Sequence, residues 1–391
     1  MDRYDVAIVG AGPAGSAAAL AARRYGASVL LLDRAAFPRD KACGDGIAAH
    51  TLDLLRDLGV TGVADGYAPV PALHLVGPGG SAVARRLSRP NYTIPRAVFD
   101  ARLVDAAVAA GATLVRHAVH TIEERPDSIV LDGEISAGTV VGADGAYSLV
   151  RRSLGQPANP DGYVALAIRG YAPALDAAEQ LIVTAPTAQW PAYAWSFPIG
   201  DGRANIGYGE VLRGTALSRA HLLDRLAALL PDVDTGGADG LRAHHLPLST
   251  HRPIPGRNRL LLAGDAYSLI NPFTGEGIFY AVLSGSLAGQ AAARAAGLGT
   301  AGGGTASGAT DGGTAGAAPA RLYTEALRRR LGRHLRHSRL AARLTGRARV
   351  VDAAVRAAAR DQRAFDSIVD LGLADGLLRA RTLATIARHL R

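Results

Sequence analysis

A chain of 391 residues, 48% of them hydrophobic, can bury a core in two or three domains, which excludes a disordered or fibrous protein. A single cysteine excludes an internal disulfide, and no apolar run approaches the roughly 18 residues of a membrane-spanning helix. The formal charge of +9 invites nucleic acid, an anionic membrane or an anionic substrate, but 5% aromatic residues and no recognisable nucleic-acid module leave no nucleic-acid partner expected. With no charged-then-apolar signal pattern at the amino terminus, the expected location is cytoplasmic.

The pattern from residue 4 to 33 predicts a strand over Tyr4–Gly10, an Ala-rich helix over Ala14–Tyr25 and a buried strand over Ser28–Asp33. Between strand and helix stands Gly10-Ala-Gly12-Pro13-Ala14-Gly15, with Asp33 about twenty residues on. This is a dinucleotide fingerprint in the context it requires. Gly10 allows the tight turn, Gly12 lets a pyrophosphate approach the backbone, and Gly15 lets helix and strand pack closely. The helix terminus attracts phosphate, and Asp33 bonds a ribose hydroxyl. The fingerprint alone does not separate NAD from FAD.

Four residues after Asp33 comes Phe37-Pro-Arg-Asp-Lys-Ala-Cys-Gly-Asp-Gly46, which holds the only cysteine, Cys43, and the only lysine, Lys41, of a chain whose other basic residues are all arginine. A helix is expected over Gly46–Leu58, short strands from about 68 to 94 around Gly77-Pro-Gly-Gly80, and a helix over Phe99–Ala110. Strands follow at Leu114–Val115 and from Thr139 into the turn Ala143-Asp144-Gly145. Alternating β-like segments fill 163–249, including Tyr193–Pro198 and Arg203–Gly207, with a helix near Ser218–Leu230. Parallel-strand style returns at Arg259–Asp265, followed by a Gly/Ala/Ser-rich helix over Gly277–Ala296. Residues 297–318 are almost all Gly, Ala, Thr and Ser and read as a flexible loop. The tail from Ala320 to Arg391 is helical in pattern and dense in arginine.

Tyr193, Trp195 and Phe197 alternate along one strand and so share a face, which makes either a wall for an apolar ligand or plain core packing. Leu327, Leu331 and Leu335 form a helical stripe among arginines. It suits an anionic membrane surface at the inner face or, the reading preferred here, a packed helix with a solvated basic side. His334 and His337 show no metal-ligand pattern, and no metal site is expected. Nothing in the sequence speaks to oligomeric state.

Three further runs resemble the set found in FAD proteins of the p-hydroxybenzoate hydroxylase fold. They are Gly142-Ala-Asp144-Gly145, Gly264-Asp265 with Asn271-Pro272-Phe273-Thr274-Gly275-Glu276-Gly277, and Arg96 in Pro95-Arg-Ala-Val-Phe-Asp100. The resemblance implies FAD as cofactor, with Asp265 on the ribityl chain and backbone N–H groups near Gly275, Gly277 and Ile278 on the flavin pyrimidine edge. A helix terminus there would stabilise negative charge near N1. Arg34, Lys41, Cys43, Gly44, Arg96, Asp144, Gly264, Pro272 and Glu276 complete the expected cofactor contacts. No second GxGxxG occurs in a βαβ setting, so NAD(P)H would bind transiently or electrons would come from another carrier.

Tyr193-Ala-Trp195-Ser-Phe197-Pro198, with Gly207 after a spacer of eight residues, resembles the YxWxFPx8G pattern of the geranylgeranyl reductase family. The Lys-x-Cys-Gly-Asp-Gly and Asn-Pro-Phe-Thr-Gly-Glu-Gly runs are similar to that family too, so the resemblance covers about 1–296. It implies reduction of isolated double bonds in an isoprenoid lipid, quinone or terpenoid, with Asp45, Tyr193, Trp195, Phe197, Pro198, Gly207 and Phe273 at the substrate. An unactivated alkene needs a proton coupled to hydride transfer from flavin N5, and Cys43 or a water beside it is the candidate donor. Against this, a thiol is a weak acid, and a free cysteine is most often a small buried hydrophobe. Arg39 and Lys41 would meet cofactor phosphates, an anionic head group or only solvent.

The expected architecture is α/β: a Rossmann-like FAD-binding domain (1–66, 95–162, 250–296), an inserted, mainly antiparallel substrate domain (67–94, 163–249) and a helical region (319–391). An FAD monooxygenase or epoxidase, and a non-catalytic prenyl-binding escort, remain open as alternatives.

Overall fold

A computed structural model describes residues 2–174, 179–186, 192–214, 216–299 and 318–390. Trp190, and residues 300–317 of the expected flexible loop, lie outside the described residues. The first sheet is centred on the strand Asp2–Val9, with Ile135–Gly142 and Leu260–Leu262 on one side and Val29–Asp33 and Thr113–Arg116 on the other, all parallel. Val6, Ala7 and Ile8 have no exposed surface, as expected of a parallel strand covered on both faces.

The helix Pro13–Arg23 is buried along most of its length because its side chains are small. Against it lies the helix Ile278–Ala295. Gly285 and Gly289, one turn apart, meet Ala14 and Ala18, also one turn apart. A Cβ on Gly285 would collide with the Ala14 carbonyl, and one on Gly289 with the Ala18 carbonyl. The two helices therefore touch backbone to backbone, and the start of the fingerprint helix is held by a segment 270 residues further along the chain.

The second sheet runs in the order Asp239–Pro247, Val164–Pro173, Arg203–Val211, Ala192–Pro198, Glu179–Thr184, Val70–Val76, Ala82–Thr93 and Gly46–Ile47. Its pairings are antiparallel except that between Glu179–Thr184 and Val70–Val76. The short strands expected from 68 to 94 are two long ones. Gly46 and Ile47 pair with Thr93 and Tyr92, so the helix expected from Gly46 begins at Ala49. The helix Arg219–Leu229 covers one face, packing Leu222 and Leu226 on Ile168 and Tyr208.

The tail forms four helices, Pro319–Leu344, Ala348–Arg360, Gln362–Leu373 and Ala380–Arg388. Leu327 and Leu331 are buried in the first core with Tyr323, whose hydroxyl donates to Leu262 O at 2.8 Å. The leucine stripe thus faces protein, and a membrane cannot use it. Val355, Ala358 and Phe365 of the next two helices pack on Leu73 and Val83, so the tail bridges both sheets.

Candidate functional site

A cavity of about 1110 Å³ opens between the two sheets, large enough for a dinucleotide and a second ligand. At one end are Gly10, Gly12, Pro13, Ala14, Asp33 and Arg34. Gly10 has φ 101°, and a Cβ there would collide with the Ala143 carbonyl. Gly15 is off the cavity, packed on the Gly10 carbonyl, as close helix–strand contact requires. The fingerprint helix starts without a side-chain cap and without an acidic residue in its first turn, so its orphan N–H groups face the cavity. Asp33 accepts from Ala11 N at 2.8 Å and Ala35 N at 2.9 Å, one bond to each oxygen, and keeps lone pairs for a hydroxyl.

Asp144 borders the cavity and accepts from Leu149 N at 2.6 Å through Oδ2, while its Oδ1 is buried without a hydrogen-bond partner. Burial raises its pKa. Gly264, Asp265, Phe273, Gly275, Glu276, Gly277 and Ile278 border the same space, whereas Pro272 does not. Lys41 Nζ lies 3.5 Å from Asp265 Oδ2, so its nearest anion is this aspartate. Glu276 differs from expectation: its own carboxylate accepts Phe279 N at 2.8 Å and takes up part of the following helix terminus. Burial pushes its pKa up to about 7 in spite of those backbone bonds. A capless helix terminus, a ribose-competent acid and an orphaned carboxylate oxygen around one elongated cavity suit FAD.

The Cys43 loop is held from below. Arg96 makes a two-pronged pair with Asp100 at 2.6 and 2.7 Å, and Arg39 joins at 3.1 Å. Burial opposes the Arg96 charge, but Asp100 outweighs it and keeps the guanidinium firmly ionised. Arg96 borders the cavity, yet it serves the loop as much as any ligand. Burial raises the Cys43 thiol pKa, against the pull of Arg96. Asp45, expected at the substrate, does not line the cavity: it is fully buried beneath the loop at φ 59°, and its carboxylate takes Tyr171 Oη at 2.6 Å and Asn205 Nδ2 at 2.7 Å. Burial pushes it up to about 6 despite these donors.

Asn205 was not foreseen. Its Nδ2 also donates to Cys43 O at 2.8 Å, and its Oδ1 accepts from Trp195 Nε1 at 2.8 Å. One amide thereby ties the Cys43 loop to the aromatic strand. The available signal was an amide in a largely apolar strand, two residues before Gly207, since a buried Asn demands several partners. Tyr193, Trp195 and Phe197 form a ladder with ring centroids 6.0 and 6.5 Å apart. Gly44 lets it approach: a Cβ there would sit 3.3 Å from Trp195 Nε1. Gly207 lies under the indole, where a Cβ would collide with the ring; neither it nor Pro198 reaches the cavity. The Tyr193 hydroxyl donates to Thr274 O.

Beyond the ladder the cavity continues as an apolar arm between Leu73, Leu75 and Ile182 of the sheet and Val355, Ala358, Ile368 and Val369 of the tail. Asn271 Nδ2 donates to Leu371 O at 2.9 Å, and Thr274 Oγ1 to Gly372 O at 2.5 Å, which pins the tail to the glycine turn. Tyr280 and His334 close the same joint at 2.8 Å. The opposite pole is polar, with Arg242 paired to Asp40 at 2.9 Å and His244 lowered to about 4 by burial and by Lys41. Among the described residues, no group of three or more metal-ligating side chains occurs, and no helix is long and apolar enough to cross a membrane.

Residues 3–179 match the family described as FAD binding domain. Menaquinone reductase of Mycolicibacterium smegmatis is 34% identical over 314 residues, 74% of this chain and 76% of that protein. Digeranylgeranylglycerophospholipid reductase 1 of Methanopyrus kandleri is 33% identical over 311 residues, 75% of this chain and 81% of that protein. The solved structure of a geranylgeranyl bacteriochlorophyll reductase-like protein from Thermoplasma acidophilum covers 100% of this chain and 97% of its own, with TM-score 0.78 and 21% identity, a likeness of fold.

Proposed function

The chain belongs to the geranylgeranyl reductase family of FAD-dependent oxidoreductases, and from that premise we propose that it saturates carbon–carbon double bonds of a long isoprenoid chain carried by a lipid, quinone or terpenoid. The observation that carries this reading is the apolar arm, which continues past the aromatic ladder from the fingerprint end of one cavity. A hydrocarbon tail fits its lining, and a small aromatic substrate would leave it unfilled.

FAD would be held by Gly12, Pro13, Ala14, Asp33 and Arg34 at one end and by Asp144, Asp265, Gly277 and Ile278 at the other; when bound it supplies hydride chemistry. The chain supplies binding, exclusion of water and a proton. Tyr193, Trp195 and Phe197 form a wall that would flank the alkene, and the arm beyond them holds the tail. Two groups in the cavity remain protonated near neutral pH, the Cys43 thiol and a large fraction of the Glu276 carboxyl. Glu276 borders the cavity and burial pushes its carboxyl up to about 7, near the pH at which a proton must be given, so we assign it as the donor. Cys43 then shapes the wall. The electron donor is NAD(P)H bound transiently or another reduced carrier.

Dithionite-reduced holoenzyme incubated without oxygen with a panel of polyprenyl lipids and quinones should yield products heavier by pairs of hydrogens. No such gain, together with label from oxygen gas in a product formed during NAD(P)H oxidation, would establish the monooxygenase alternative instead.

A further inference from the structure

The segment from Pro319 to Arg349 carries ten arginines and one acidic residue, Glu325. All ten arginines are exposed. On the helix Pro319–Leu344, Leu327, Leu331, Ser338 and Ala341 point into protein. The opposite face presents Arg329, Arg333, Arg336, Leu340 and Leu344, successive positions three or four residues apart and so aligned on one stripe. Leu340 is 44% exposed and Leu344 39%, unusual for leucines with a fully buried stripe available on the same helix. Arg343 lies between them in sequence, and Arg347 follows in the turn. That turn adjoins the cavity: Thr345 in the turn and Val351 in the helix that follows both line it.

We propose that this stripe, with the turn through Arg347, docks the protein on an anionic lipid bilayer and sets this border of the cavity against the membrane surface. The occupant is argued from charge and shape together. Arginines flanking two exposed leucines can place guanidinium groups among phosphates while the leucines enter the acyl boundary. An acidic protein partner would satisfy the charge but would not explain two exposed leucines on the same stripe as the arginines, next to a turn that borders a hydrocarbon-lined cavity. The inference rests on the isoprenoid reading only for what the arm receives, since bilayer binding is measurable without turnover.

The test uses the full-length, FAD-loaded protein and sedimentation with vesicles of phosphatidylcholine, with and without phosphatidylglycerol. Wild type should sediment with the anionic vesicles and be released by high salt. The triple variant Arg336→Gln/Arg343→Gln/Arg347→Gln should lose partitioning on the order of a hundredfold, from about a fivefold contribution per basic residue near the surface. Leu340→Ser/Leu344→Ser should lose about tenfold. Both variants should keep wild-type melting temperatures and wild-type turnover of a short, water-dispersed prenyl alcohol, while turnover of a long chain embedded in vesicles falls. Wild type that ignores anionic vesicles, variants that sediment like wild type, or binding to polyglutamate without binding to vesicles overturns the proposal. Charge-dependent sedimentation by a protein that reduces none of the panel supports it while removing the isoprenoid reading.

Discussion

Tyr171 donates its hydroxyl to Asp45 at 2.6 Å, so a strand of the second sheet holds an acid that belongs to the loop crossing from the first. The loop bearing Lys41 and Cys43 is therefore seated by both sheets, and its position reports on how they meet.

Asp45 and Glu276 carry the sign of one pH effect. Burial raises them from ordinary values of 3.8 and 4.5 to about 6 and about 7. Between those limits the folded chain holds protons that the unfolded chain has released, so these groups withdraw stability as pH rises from about 4 to about 7. Urea unfolding of flavin-free wild type, minus that of Glu276→Gln, should show a contribution that declines across this window. A difference that is flat or rises would contradict the buried, protonated state.

Glu276→Gln keeps a side chain that can accept Phe279 N but cannot give up a proton. Turnover should fall on the order of a hundredfold with FAD content unchanged, and one limb of the pH–rate profile should disappear. Cys43→Ser should cost less than tenfold. The reverse ranking would return the donor role to the thiol.

Gly285→Val places carbon where the Ala14 carbonyl lies and must push the fingerprint helix from its seat. Overpacking of this kind costs about 1–3 kcal/mol, and FAD affinity should drop at least tenfold, read by flavin fluorescence titration. Gly332→Ala, in the middle of a tail helix with only the Arg328 side chain nearby at 3.6 Å, should instead raise stability by up to about 1 kcal/mol.

Asn205→Leu strips a donor from Asp45 and orphans the Trp195 N–H. Each buried group left unpaired costs about 1–3 kcal/mol, so the melting temperature should fall. The Michaelis constant for an isoprenoid substrate should rise as the indole loses its anchor, while FAD affinity stays near wild type.

What could be read from sequence was what local pattern encodes. The βαβ unit with Asp33 is legible because strand burial, helix-forming alanines and turn glycines lie within thirty residues of each other. The aromatic ladder is legible because alternate residues share a face. Asn205 stayed hidden because its three partners come from Cys43, Asp45 and Trp195, brought together only by the sheet. Gly285 and Gly289 read as ordinary small residues until Ala14 and Ala18 lie against them. The apolar arm needed Val355 and Ile368 to be folded over Leu73, nearly three hundred residues away in sequence. Gly46 misled because a two-residue strand is too short to leave a period.

The bonds from Asn271 and Thr274 to Leu371 and Gly372 make the roof of the apolar arm and the glycine turn at the cavity wall a single mechanical part. Making room for a bulkier tail by shifting the roof helices would drag the turn with them and disturb redox chemistry. Substrate range in this scaffold is therefore most cheaply altered by trimming or enlarging Val355, Ile368 and Val369 in place, leaving the backbone of the joint untouched.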